Sequence, residues 1–254
     1  MAHIRPPLAN VGTRHHYPSE DSLSCLSDSL LLKALFALYL RTIYPSLMEA
    51  TNLRDRLAPF IPNAELDDAL IAAIQTHLDL LLLWNQHMNL TALRTPEEIV
   101  TRHFGESLFA ARQLFPRDSV QDVFDLGSGA GFPGLPMKYW APQLELTLIE
   151  GHGKKATFLR EVQRAVHLSN CTILNARAET IPQRASLVTM RAVEKFDEAL
   201  IAASKLLTPG GQLAILIGEA QRDRALSLLT PGNVASFALP SSEQRILLTW
   251  KPLP

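Results

Sequence analysis

A chain of 254 residues with 47% apolar side chains and a formal charge of −1 can fill one α/β domain of ordinary size plus a helical appendage, and is too apolar for wholesale disorder. Its near-neutral balance, with a pI near 6.7, excludes a globally basic nucleic-acid binder, so any basic surface has to be local. Cys25 and Cys171 are too few for a disulfide framework and no Cys-x-x-Cys or His-rich spacing supports zinc. No metal is therefore expected, and a reducing, cytoplasmic compartment is.

Residues 1–62 read as an N-terminal extension, partly helical or disordered, ahead of a domain spanning 63–254. The first 28 residues are polar and irregular, and His15-His16 reads as part of a solvated tail. The apolar run Leu30 to Leu40 is interrupted by Lys33 and stopped by Arg41 and Pro45, too short and too charged to span a bilayer, so no membrane is expected. Acids precede it and no small-residue cleavage site follows, which argues against a secretory signal. An added amphipathic helix and an over-extended reading frame with Met48 as its start both remain open.

A helical lead-in is expected over 63–118. Asn63 reads as a cap, and Leu66, Leu70, Ile71, Ile74, Leu78, Leu81 and Leu82 recur at helical spacing. The stripe is lost over Trp84 to Arg94. Thr95-Pro96-Glu97-Glu98 restarts a helix with a cap, a first-turn proline and acids facing the dipole, continued by Ile99, His103, Phe104 and Leu108.

The core, expected over 119–254, opens on Val123-Phe124-Asp125-Leu126 as a short buried strand. Gly127-Ser128-Gly129-Ala130-Gly131-Phe132-Pro133-Gly134 follows as a turn into a helix, and Leu144 to Ile149 as a second strand ending on Glu150. Strand, glycine turn, helix, strand and terminal acid make the nucleotide-binding half of an open α/β sheet. Gly129-x-Gly131-x-x-Gly134 also satisfies the dinucleotide pattern literally, with Glu150 near the distance of a ribose contact. A pyrophosphate, however, needs free amides at the helix N-terminus, and Pro133 and Pro136 each lack one. S-adenosylmethionine has the ribose without the phosphates, and Asp125 offers an acceptor for its sulfonium or α-amino group. The residues favour that cofactor over NAD; no Tyr-x-x-x-Lys or equivalent is visible for a dehydrogenase.

Lys154 to His167 is expected to be helical, with Phe158, Leu159, Val162 and Val166 inward and Lys154, Lys155, Arg160 and Arg164 outward. Such a charge set is either a solvated face or a nucleic-acid contact. Strands follow at Thr172 to Asn175, Leu187 to Met190 and Leu213 to Ile217, with a helix over Asp197 to Leu207 and a turn at Pro209-Gly210-Gly211. Residues 234–238 and 246–250 read as a terminal strand pair. The pattern predicts an α/β, Rossmann-like fold whose mostly parallel sheet has one antiparallel strand.

Several motifs resemble the RsmG (GidB) family of small-subunit ribosomal RNA methyltransferases. They are Trp84-Asn85…Asn89-Leu90-Thr91, Arg102-His103…Ser107-Leu108, Asp125 to Gly134, Lys154-Lys155…Phe158-Leu159-Arg160, Arg177-Ala178-Glu179 and Arg191-Ala192, covering roughly residues 64–251. The resemblance implies a class I fold and S-adenosylmethionine-dependent methylation of N7 of a guanine in 16S rRNA or the small ribosomal subunit, by a monomer. It implies cofactor contacts at Gly127, Gly129, Gly131 and Phe132 of the turn, at Ala178 and Glu179 beside the adenine, and at Arg191; Glu150 would hold the ribose. It also implies RNA contacts at Arg94, Arg102, His103, Lys154 and Lys155. Glu106 stands where the family usually has Asp, and Ile217-Gly218 where many members carry Lys-Gly.

Guanine N7 has a lone pair and no proton, so its methylation needs no general base. Exocyclic amine methylation would mark the fourth strand with Asn/Asp-Pro-Pro-aromatic, and this chain has Thr189-Met190-Arg191-Ala192 instead. Carbon methylation would need a cysteine nucleophile, and Cys171 is badly placed. Arg191, Asn85 and Asn89 are the candidates for orienting the substrate. Arg191 also reads as a salt-bridge partner for Glu150 or Glu194, and the asparagines as helix caps.

Overall fold

The computed structural model describes residues 50–193 and 195–253. The apolar run of residues 30–40, Met48, Cys25 and Glu194 lie outside them. Helix α1 (Ala50–Leu57) is followed by a 3-10 turn (Asn63–Glu65) and the long helix α2 (Asp68–Asn85). The cap of α2 is Asp67, whose carboxylate accepts from the Leu70 amide at 2.8 Å. Asn63, expected in that role, opens the 3-10 turn instead. Arg117 fixes the choice by donating to Asp67 (2.5 Å) and to the Glu65 carbonyl (2.7 Å).

Thr95 is the expected cap at the start of α3 (Pro96–Ile99), and Glu98 answers it to complete a capping box. The chain then takes a π-helical turn over Val100–Gly105 before α4 (Glu106–Leu114). A continuous α-helix was the sequence expectation. The wider turn carries Arg102 and His103, and π turns often accompany functional side chains.

Seven strands form one sheet in the order β3-β2-β1-β4-β5-β7-β6. They are β1 (Asp122–Leu126), β2 (Glu145–Ile149), β3 (Cys171–Leu174), β4 (Ala185–Arg191), β5 (Leu207–Gly218), β6 (Gly232–Ala238) and β7 (Arg245–Pro252). β7 alone is antiparallel to its neighbours. Pro209-Gly210-Gly211 does not interrupt β5; the strand runs through it and the register against β4 shifts between Ala185 and Leu187. Strand order reverses between β1 and β4, where a doubly wound sheet opens a crevice at its carboxyl edge.

Helices α5 (Gly134–Trp140), α6 (Gly153–Ala165), α7 (Phe196–Lys205) and α8 (Arg222–Leu228) cover the sheet. Alternation along the strands divides the core. Val123, Leu146, Leu148 and Leu187 join the lead-in helices and Phe158, Leu159 and Val162 of α6. Phe124, Ile149, Val188 and Met190 join Leu200 and Ala203 of α7 and Ala225 of α8. Leu53, Leu57, Phe60 and Ile61 are buried in the first cluster, so packing against the lead-in begins ahead of residue 63. Among the described residues no helix is long and apolar enough to cross a membrane.

Candidate active site

Gly127, Gly129 and Gly131 all have positive φ (65°, 55° and 91°), a conformation open to glycine at little cost. It folds the segment between β1 and α5 back on itself, and the turn spends its own amides in doing so. Gly127 and Ser128 donate to the Ile149 carbonyl at 2.8 and 3.2 Å, and Gly131 and Phe132 to Ser128 at 2.6 and 3.1 Å. Gly129 donates to the Glu150 carboxylate at 2.8 Å and Gly134 to that of Asp125 at 3.1 Å. A diphosphate at a helix N-terminus depends on such amides being free. Here those of Gly127, Ser128, Gly129, Gly131, Phe132 and Gly134 are engaged, two of them by carboxylates.

Asp125 is fully buried between Gly134 and the Thr189 hydroxyl, which donates to it at 2.9 Å. Its carboxylate is turned into the protein rather than toward the crevice. Burial, opposed by these hydrogen bonds, pushes the carboxyl from 3.8 up to about 7. The stability this group contributes is therefore fully present below its unfolded value and is lost as pH rises through about 7. Asp125→Asn keeps an acceptor for Gly134 and offers its N–H to the Thr189 hydroxyl oxygen, the hydroxyl proton turning to the Phe124 carbonyl. It is therefore expected to raise the urea midpoint at about pH 8 and flatten the profile down to about pH 4. Denaturation across that range checks it; a profile unchanged from the parent would contradict it.

A cavity of about 550 Å³ opens at the β1/β4 reversal. One wall is the glycine turn and Phe132, a second is Arg191 to Val193 at the tip of β4, and a third is Leu90 to Leu93 with Arg102 and His103. Lys155 of α6, Ile217 at the end of β5 and Arg245 at the start of β7 complete it. Arg191 is buried against Glu106 at 3.2 Å, and Arg245 bonds the same carboxylate oxygen. Of the partners the sequence offered for Arg191, Glu150 is committed to the amides of Gly129 and His152. Burial drives Glu106 up and Arg191 down to about 10, and each opposes the other's shift. The Nη1 atoms of Arg191 and Arg245 are buried without a hydrogen-bond partner, so this wall has donors in excess. His103 stacks on Phe132 (centroids 4.6 Å apart) and meets the Thr91 hydroxyl at 2.7 Å. Burial, then Arg191 and Arg245, push it down to about 2 and keep it neutral.

Residues 70–234 match the family described as rRNA small subunit methyltransferase G, GidB. A protein of Xanthomonas euvesicatoria pv. vesicatoria named ribosomal RNA small subunit methyltransferase G is 37% identical over 183 residues, covering 70% of this chain and 84% of its own. One of the same name from Xylella fastidiosa strain M23 is 38% identical over 169 residues, 66% of this chain and 77% of its own. The chain belongs to the rRNA small subunit methyltransferase G family. The crystal structure of a ribosomal protein L11 methylase from Lactobacillus delbrueckii subsp. bulgaricus shares the fold, with a TM-score of 0.51 at 10% identity over 59% of this chain and 78% of that one.

The structure distributes the family's motif residues unevenly. Gly127, Gly129, Phe132, Arg191, Arg102, His103 and Lys155 come together at the cavity. Gly131 sits behind it: a Cβ there would meet Leu135 at 2.4 Å. Asn85 turns to the backbone, accepting from Leu90 and Thr91 at 2.9 and 3.0 Å, so it shapes the loop that lines the cavity. Asn89, Arg94 and Lys154 are exposed beyond it. Ala178 and Glu179 line a separate cavity of about 540 Å³ with Ile201 and Lys205 of α7. Sequence reasoning missed Arg245, which reaches Glu106 across 139 positions of chain and has no local signal. It also missed Thr91 as the partner of His103, although Asn-Leu-Thr was in view.

Proposed function

We propose that this methyltransferase moves a methyl group from S-adenosylmethionine to N7 of a guanine in 16S rRNA, acting on the small ribosomal subunit in the cytoplasm as a monomer. The observation that carries the reading is a glycine turn with its amides engaged, facing a wall of guanidinium groups across one cavity. A nucleoside without phosphates suits that turn. Gly127, Gly129 and Phe132 would bound it, with Gly131 shaping the turn from behind. Glu150, which already accepts from Gly129 and His152, would meet the ribose, and Arg191 the carboxylate of the methionine part, while the family's adenine contacts, Ala178 and Glu179, line a cavity of their own here. Asp125 would act from beneath, through Gly134. When bound, the cofactor supplies an electrophilic methyl group.

The chain's own residues then have to orient and exclude water, which can supply roughly 7–11 kcal/mol. No strong base is required, and His103 is too weak a base to serve as one. Arg191 and Arg102 present donors, which suit guanine O6 and leave the N7 lone pair free to attack the methyl group. Asn85 and Asn89 would set the loop against the base. Arg94, Lys154 and Lys155, with Arg102, would take phosphates, and the base would enter unstacked.

The test supplies unmodified small subunits with cofactor labelled in the methyl group and digests the RNA for mass spectrometry. Labelled 7-methylguanosine is expected. Cofactor binding without label in RNA would overturn the reading.

A further inference from the structure

His77 lies in the middle of α2, on the face that carries Ile74, Leu78 and Leu81 into the core, and is fully buried. An apolar side chain is what the helical spacing leads one to expect there. The imidazole instead bonds at both ends. Nε2 lies 2.9 Å from the Ala130 carbonyl, and Nδ1 lies 3.1 Å from the Tyr139 hydroxyl. A carbonyl only accepts, so Nε2 carries the proton and Nδ1 receives the tyrosine's. Burial pushes the ring down to about 3, which keeps this neutral tautomer in place.

These contacts reach the cavity by two routes. Ala130 and Phe132 both line it, and His77 holds one by a hydrogen bond and the other by stacking, with centroids 5.0 Å apart and planes inclined by 10°. Phe132 is covered on another side by His103 at 4.6 Å and 22°, and His103 is bonded to Thr91 of its own wall, the one that carries Arg102. Three rings thus run from α2 through the glycine turn to the π-helical turn. Phe104 closes the stack edge-on against both His77 (5.0 Å) and Phe132 (4.9 Å). Gly131 admits the imidazole, since a Cβ there would lie 3.2 Å from its Cε1.

We infer that His77 is a positioning residue for methyl transfer: it acts through Ala130 to set the cofactor turn and through Phe132 to set His103 on the substrate wall. The inference rests on the methyltransferase reading above. A histidine that merely filled the core would affect stability alone. A positioning histidine has two separable effects, because the hydrogen bond leads to one wall and the ring to the other.

Two substitutions divide them. His77→Phe keeps a ring on Phe132 but leaves the Ala130 carbonyl without its donor. It is expected to weaken S-adenosylhomocysteine binding and raise the cofactor KM about tenfold, with kcat on small subunits changed less than about threefold. His77→Gln keeps a donor for Ala130 and removes the ring. It is expected to restore cofactor affinity to within about threefold and to lower kcat about tenfold. Tyr139→Phe, a milder change, leaves Nδ1 of His77 without its hydrogen-bond partner and so loosens the ring that holds Ala130, and is expected to weaken S-adenosylhomocysteine binding about threefold. Calorimetry and steady-state kinetics on the full chain read all three.

If the His77 variants fold with a lowered melting temperature and parental KM and kcat, the inference is overturned. If they do not fold, parental affinity in Tyr139→Phe overturns it. A parent that binds S-adenosylhomocysteine but methylates no RNA removes the methyltransferase reading instead, and the affinities of the variants still decide the role of His77 at the turn.

Discussion

Glu106→Gln is expected to destabilise the fold by about 3–5 kcal/mol and to abolish methyl transfer. Glu106 is 2% exposed, and its carboxylate is the shared partner of Arg191 and Arg245. Two guanidinium groups on one carboxylate already leave a surplus positive charge where β4 ends and β7 begins. Arg191 is pushed down to about 10 even with Glu106 beside it. An uncharged glutamine leaves both cations without a counter-charge in a site that water barely reaches, and breaking one side of a buried pair costs far more than a surface pair is worth. Glu106→Asp keeps the charge, and should cost less than about 1.5 kcal/mol if the shorter side chain is accommodated. Urea denaturation of the two variants at neutral pH separates charge from length. Equal losses in both would show that shape, rather than charge, matters at this position.

Replacing Gly127 with valine is expected to weaken cofactor binding at least about a hundredfold while the chain stays folded. Gly127 has a φ of 65°, which a β-branched residue adopts only with strain. A Cβ there would come within 2.6 Å of Cγ1 of Val193, on the wall of the cavity. Relief would move Val193 and the adjoining Ala192 into the space the cofactor needs. Val193 is half-buried at the edge of the second core cluster, so the cost to stability should be about 1–3 kcal/mol. Circular dichroism checks that the fold survives, and calorimetry reads the affinity. Binding within about threefold of the parent would mean that the cofactor does not sit against this turn.

What the sequence made legible, and what it left hidden, follows from the range of each interaction. All seven strands were visible because each contains a short run of apolar or β-forming residues, and the last pair was recognisable as a hairpin, but the first half of β5, through Pro209-Gly210-Gly211, read as a turn. The glycine turn was legible because positive φ leaves a compositional trace. Thr95 as a cap, with Pro96 and two acids in the first turn, was equally readable, whereas the answering bond from Glu98 came with the structure. The π-helical turn at Val100–Gly105 had no such trace, since the same residues serve a regular helix. α1 escaped because most of its length is polar and, among its described side chains, Leu53 and Leu57 alone are buried in the core. Choosing Asp67 over Asn63 as a cap needed Arg117, 50 positions away.

The site divides in the same way. Residues at the ends of β1, β4 and α6 could be assigned because strand tips face the crevice of an open sheet. Arg245 and Glu106 could not be paired, and neither could His77 with Ala130, because each contact spans at least 53 positions and involves residue types that also occur as ordinary core or surface. Asp125 was correctly placed at a strand tip, but its carboxylate points to Gly134 and Thr189. Side-chain direction at the end of a strand is set by neighbours that the local pattern does not contain.

The central claim is that a turn whose amides are already engaged accepts a nucleoside without phosphates and rejects a diphosphate. Calorimetric titration of the full chain with S-adenosylhomocysteine and, separately, with NADH tests it most directly. Saturable binding of the first, lost in Gly127→Val, with no heat from the second, is the predicted result. Binding of NADH without S-adenosylhomocysteine would contradict it.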